Sequence, residues 1–188
     1  ILALQFKRNC FCGATIMIRR EIFAIVGGYR EFFCSFGAED YDWAFRIAER
    51  FRCENIPLTL YSYRIHSGSI SRAPDYRRAI SHQIVINLAK QRASTGGRDD
   101  LTEGRLDSLN ELVTSLTLPY RLDPSLIHRD LAGLYMYAGQ GDEALRACLS
   151  AIATRPAKLV NWRTLFYCAR KLLIGFLAKF LNRASPGQ

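Results

Sequence analysis

After Glu143 the sequence contains no acidic residue. Eight basic ones follow it, Arg146, Arg155, Lys158, Arg163, Arg170, Lys171, Lys179 and Arg183, so nearly all of the formal net charge of +9 belongs to this tail. A basic tail suits an anionic membrane surface, nucleic acid or an acidic partner, and charge alone does not choose among them. No nucleic-acid-binding motif accompanies it, so nucleic acid is not expected as a partner. Long apolar runs are missing too: the one from Leu172 to Ala178 stops at Lys179, short of what spans a bilayer. No signal-peptide pattern opens the chain, because Lys7 and Arg8 follow its short apolar start instead of preceding it. The first residue is Ile1 and not Met, from which a processed product or a fragment is expected. A zinc-finger spacing is also absent. Of the six cysteines, Cys10, Cys12, Cys34, Cys53, Cys148 and Cys168, one pair is close, and no Cys or His adds ligands at a suitable interval. Reduced, mostly buried thiols of a cytosolic protein are the expectation.

What is present is an ordinary globular composition: 188 residues, 49% hydrophobic and 23% charged, enough for one or two domains with a sizeable core. Asn9 to Arg19 includes the β-prone run Gly13-Ala14-Thr15-Ile16-Met17-Ile18, read as a strand that ends at Arg19-Arg20. A short helix is predicted from Glu21 to Val26, stopped by Gly27-Gly28, where positive φ is available. The stretch Phe36-Gly37-Ala38-Glu39-Asp40-Tyr41-Asp42-Trp43 reads as a glycine loop delivering two adjacent carboxylates to a helix start. Tyr41, Ala44, Phe45 and Ala48 recur at helical spacing, with Arg46, Glu49 and Arg50 expected on the opposite, polar side. Asp40 suits the N-cap, where free backbone N–H groups and the positive helix end favour a carboxylate. Taken alone, Asp40 reads as a cap and Glu39 as a loop charge. Two further strands are predicted, over residues 53–58 and 60–65, before His66-Ser67-Gly68-Ser69.

The order strand, Arg-Arg-Glu, Gly-Gly-Tyr, Glu-Asp-Tyr-Asp, Arg, Leu-Tyr-x-Tyr-Arg-x-His-x-Gly-Ser-x-Ser, from about Cys12 to Ser71, resembles the C-terminal half of a family 2 glycosyltransferase catalytic domain. The resemblance implies a GT-A, Rossmann-like α/β fold and transfer of a sugar from a nucleotide-sugar donor to an acceptor hydroxyl with inversion. It makes Asp40 the general base and places Glu39 and Tyr41 against the acceptor. Arg64 would face the diphosphate, and His66 would complete the shell of a divalent ion, Mn or Mg, whose other ligands lie outside this chain. Such chemistry needs one acceptor-side carboxylate and neutralisation of the departing diphosphate. The family's metal-binding Asp-x-Asp ends an apolar strand. Asp40-Tyr41-Asp42 spells the pattern but opens a helix, so it is not read as that motif. The donor-binding half is therefore expected to be missing, and the isolated chain inactive.

Beyond Arg72, residues 75–92 read as a helix, 93–100 as a polar loop and 101–118 as a helix ended by Pro119. Leu131, Ala132, Tyr135, Gly139, Ala144, Ala151 and Pro156 fall at the spacings of one tetratricopeptide repeat, with Cys148 at the remaining position. A last helix, residues 159–181, carries an apolar stripe including Leu159, Trp162, Leu165, Phe166, Leu172, Leu173 and Phe176. Packing on the repeat and in-plane contact with a membrane are its two readings.

The expected architecture is accordingly α/β: residues 1–72 as the C-terminal part of the transferase domain, 73–119 as a helical linker wrapping it, and 120–188 as a tetratricopeptide-like helical segment. The expected partners are a nucleotide-sugar donor and a saccharide or lipid-linked acceptor, in surface polysaccharide or glycoconjugate synthesis. The expected place is the cytoplasm, with the last helix a candidate for peripheral contact at the inner face of the plasma membrane. The alternative is a non-catalytic helical interaction module that retains a transferase remnant.

Overall fold

The computed structural model describes residues 1–62, 64 and 75–184, with side chains to residue 178. Eight α-helices run through these residues: α1 (Leu2–Gln5), α2 (Arg20–Val26), α3 (Glu39–Ala48), α4 (Tyr76–Thr95), α5 (Leu106–Leu122), α6 (Leu126–Tyr137), α7 (Gly141–Thr154) and α8 (Leu159–Ala184). The structure is 67% helical and holds no strand among the described residues, so it is all-helical and not the α/β Rossmann-like fold expected. The predicted strands over residues 13–18 and 53–58 lack a partner among the described residues, and the third, 60–65, lies partly outside them. Gly13–Thr15 closes into a 3₁₀ turn, with the Thr15 N–H and hydroxyl both donating to the Cys12 carbonyl. Residues 53–62 have no regular structure, and among the described residues no backbone hydrogen bond joins them to residues 10–19. A β-prone sequence becomes a strand only when a neighbour pairs its backbone and covers its face. Here Met17, Ile56, Leu58 and Leu60 stay largely exposed.

The chain divides into two compact units, Ile1–Thr117 and Leu118–Gln188. In the first, α3 is central. Every residue from Tyr41 to Ile47 on it is buried, facing Ile80, Ile84, Val85, Leu88 and Ala89 of the α4 core among others. A helix buried on all sides must find partners for whatever polar groups it carries. Arg46, expected on a polar face, is 7% exposed. Its Nε donates to Asp42 Oδ2 at 2.9 Å, Nη1 to the Val26 carbonyl at 2.6 Å and Nη2 to the Gly28 carbonyl at 2.7 Å. Trp43 Nε1 donates to the Gly27 carbonyl at 2.7 Å, and Gly27 takes φ +77°, the left-handed conformation that ends α2. The Gly27-Gly28-Tyr29 turn is thus pinned to α3 from two positions, and Tyr29 stacks edge-on against Trp43 at 5.3 Å.

Around Asp42 the charges form a compact set, in which Asp42 Oδ1 accepts no hydrogen bond among the described residues. Arg30 Nη1 and Arg92 Nη1 donate to Asp99 Oδ2 at 2.7 and 2.6 Å, and Arg92 also grips Glu49 through Nε and Nη2 at 2.7 and 2.9 Å. Arg30 and Arg92 approach Asp42 at 3.6 and 3.8 Å. Three guanidinium groups thus face three carboxylates, and both Asp42 and Asp99 are wholly buried. Burial opposes ionisation of Asp99, but hydrogen bonds from Arg30 and Arg92 outweigh it and hold its carboxyl below the usual range. Asp75 caps α4, accepting from the Arg77 N–H at 2.9 Å.

In the second unit α6, α7 and α8 pack around Leu131, Ala132, Ala147, Cys148 and Cys168. Pro119, expected to end a helix, lies inside α5. Asp123 follows that helix and accepts from Arg129 Nη2 and Lys158 Nζ, each at 2.6 Å, and from the Ser125 hydroxyl. Asn161 of α8, fully buried, donates to the Ala151 and Arg155 carbonyls at the end of α7. The thiols are mainly not buried as expected: Cys148 and Cys168 are, while Cys12 and Cys34 are exposed and Cys10 and Cys53 half-buried.

Substituting Asp99 by Ala leaves Arg30 and Arg92 without their shared carboxylate. Urea unfolding is expected to show a loss of about 3–5 kcal/mol, as for one-sided removal from buried ion pairs. Because the folded carboxyl titrates below its unfolded value, this stabilisation is present above the ordinary carboxyl value of 3.8 and fades as pH falls through the folded value. The difference between wild type and variant therefore narrows in acid. A neutral-pH loss under about 1 kcal/mol contradicts the assignment.

Candidate functional site

Glu39 and Asp40 are the first two residues of α3, not its cap: the N-cap position is Ala38, which makes no side-chain bond. The two carboxylates still sit on the first helical turn, beside free backbone N–H groups. Asp40 is half-buried. Burial raises its carboxyl above the usual range, the neighbouring Glu39 adds to that, and the backbone N–H groups of Tyr41, of Asp40 itself and of Gly13 pull the other way without prevailing. A carboxylate so placed is a better proton acceptor than an exposed one. Glu39 is half-buried too, and its Oε2 is enclosed without a hydrogen-bond partner.

Tyr41 and Asp42 turn the other way. Tyr41 is 4% exposed; its hydroxyl donates to the Gln5 carbonyl and its ring stacks on His82 at 4.9 Å. Burial pushes its phenol up to about 12. Asp42 is bound into the arginine set, so the Asp-x-Asp spelling puts one carboxylate at the surface and one in the core. Arg64 is exposed, and among the described residues no contact brings it to Asp40. His66 lies outside the described residues, and among those described no three His, Cys, Asp or Glu side chains group as a metal site. The described residues therefore do not by themselves make the divalent-ion site.

Two features of the site were not anticipated. One is a cavity of about 730 Å³, lined by Cys10, Cys12, Met17, Arg19, Phe51 and Leu60 among others; Glu39 and Asp40 are not in its wall. The other is Gly13, whose backbone lies against the Asp40 carboxylate. Its sequence signal was a glycine inside a β-prone run, which marks a close approach of backbone to something else.

Residues 6–98 match the family model described as Glycosyltransferase like family 2. Over these residues the chain is similar to that family. The matched stretch contains the Gly13 turn, all of α3, and every member of the buried charge set except Asp99. No curated protein and no solved structure matches the chain.

A titration tests the family-2-like site directly. Asp40 should have a carboxyl midpoint above 3.8 by ¹³C NMR. Since the folded value lies above the unfolded one, the associated stability is present below the unfolded value and lost as pH rises through the folded value. Asp40→Asn removes that loss. Urea midpoints should therefore shift in the variant's favour across this window and stay offset at neutral pH; a pH-independent difference contradicts the placement.

Proposed function

We propose that this chain carries the acceptor side of an inverting nucleotide-sugar glycosyltransferase, with Asp40 as general base. The observation that supports this most is the Asp40 carboxylate itself. Burial raises its proton affinity, α3 fixes its position, and the segment around it matches a glycosyltransferase family. In the reaction Asp40 accepts the proton of the acceptor hydroxyl as that oxygen attacks the anomeric carbon, and the nucleoside diphosphate departs from the opposite face. Glu39, beside Asp40 on the same first turn, is assigned to contact with the acceptor. Tyr41 supports the helix start through Gln5 instead of presenting its hydroxyl. Arg64 is assigned to the diphosphate, and His66 to a divalent Mn or Mg ion that would neutralise it. The acceptor is a saccharide or lipid-linked saccharide, in surface polysaccharide or glycoconjugate synthesis on the cytoplasmic side of a membrane.

The exposed face of α8 favours a membrane contact. No described helix is long and apolar enough to cross a bilayer. Leu165, Cys168 and Leu172 face α6 and α7, whereas Leu159, Trp162, Phe166, Leu173 and Phe176 form a second, exposed stripe. Arg163 and Arg170 run along its border at a seven-residue interval. Apolar side chains flanked by basic ones fit a helix lying in the headgroup region.

The base is tested in a polypeptide that joins this chain to a donor-binding half, by release of nucleoside diphosphate across a panel of nucleotide sugars. Asp40→Asn should lower transfer about a hundredfold or more, with donor binding unchanged. Near-normal transfer removes Asp40 from the role, and no transfer from any donor by the parent favours the non-catalytic module.

The membrane contact is tested by sedimentation with anionic phosphatidylserine vesicles. Replacing Trp162, Phe166 and Phe176 by Ser should leave the protein in the supernatant, and salt should release the wild type. Equal recovery of both proteins in the supernatant eliminates this contact.

A further inference from the structure

Gly13 does not need to be glycine for its backbone. Positive φ is confined to other glycines of the chain among the described residues, and residue 13 opens a 3₁₀ turn that any residue can adopt. Space is what requires it. A Cβ built at residue 13 falls 2.5 Å from Asp40 Oδ2, 3.0 Å from its Cβ and 3.1 Å from its Cγ. Neither partner can easily withdraw. The turn is closed by the two bonds from Thr15 to the Cys12 carbonyl, and α3 is buried along the whole run that follows Asp40. By contrast, the Cβ position at Gly28 meets the Phe23 ring at an ordinary 3.6 Å, and the one at Gly141 meets a flexible Leu172 side chain.

We propose that Gly13 is a positioning residue for Asp40: the missing side chain leaves the seat in which the carboxylate lies against the 13–15 turn and is held in one orientation. This rests on reading Asp40 as the base only for the chemistry it serves. The seat itself is a property of the fold, present with or without substrate. Its consequence for transfer is that the carboxylate is ready before the acceptor arrives, which is how positioned groups lower a barrier. A methyl at residue 13 evicts the carboxylate toward solvent, and its proton affinity falls as burial is lost.

The experiment uses the 188-residue chain and no ligand. The Asp40 carboxyl is followed by ¹³C NMR titration in wild type, Gly13→Ala and Gly28→Ala. The expected result is a fall of the midpoint toward 3.8 in Gly13→Ala and no change in Gly28→Ala. In parallel, Gly13→Ala is compared by urea unfolding in wild-type and Asp40→Ala backgrounds. It should cost less stability where the carboxylate is gone. A midpoint that stays or rises, or an equal cost in both backgrounds, overturns the proposal. If Gly13→Ala alone does not fold, folding of the Gly13→Ala/Asp40→Ala double variant supports it and failure of that variant overturns it. These readouts need no donor or acceptor, so they can fail while the transfer assay on Asp40 succeeds, and the reverse.

Discussion

Burying charge is the constraint on which the first unit depends. α3 carries Asp42 and Arg46 into a space that excludes water, and each must be neutralised there or not be there at all. Arg30, Arg92, Asp99 and Glu49 answer them, arriving from a 3₁₀ approach, from α4, from the loop after α4 and from the end of α3. Hydrophobic contact alone leaves helices free to rotate and slide. Directional bonds from a guanidinium fork do not, and Arg46 uses its three donor positions on one carboxylate and two carbonyls. The orientation of α3 about its own axis is set this way, and that orientation decides which of its acids face outward.

The contrast between Asp40 and Asp42 follows. Two carboxylates two residues apart on a helix point about 200° apart, so one rotation cannot bury or expose both. Asp42 meets cations and becomes part of the framework. Asp40 meets backbone, Glu39 and solvent, and keeps a raised proton affinity. A group with an opposing charge beside it is committed; a group held by neutral dipoles under partial burial retains the capacity to gain and lose a proton.

Much of the helical layout was legible in residue patterns. α3, α4 and α8 come from periodicity and α2 from its glycine stop; Asp75 caps α4, whereas the cap expected at Asp40 falls on Ala38. Arg46 was misplaced because an arginine in a helical repeat reads as surface unless its partners are known. Those partners, the Val26 and Gly28 carbonyls, are backbone groups with no sequence signature. The strands failed for a related reason: periodicity reports a segment's preference, while a sheet requires a second segment, and residues 53–62 have none among the described residues. The charge pairings of Arg92 with Glu49 and of Arg30 with Asp99 span 43 and 69 positions, beyond any local rule. Gly13 opposite Asp40 was invisible for the same reason, although a glycine in an apolar run was there to be questioned.

The placement of the ion set along the chain has one further effect. Arg30, Asp42, Arg46 and Glu49 precede the exposed, irregular residues 53–62, whereas Arg92 and Asp99 follow them. The pieces on either side are therefore fastened to each other by charge as well as by peptide bonds. A nick within residues 54–62 cuts the peptide chain without removing any of these ion pairs.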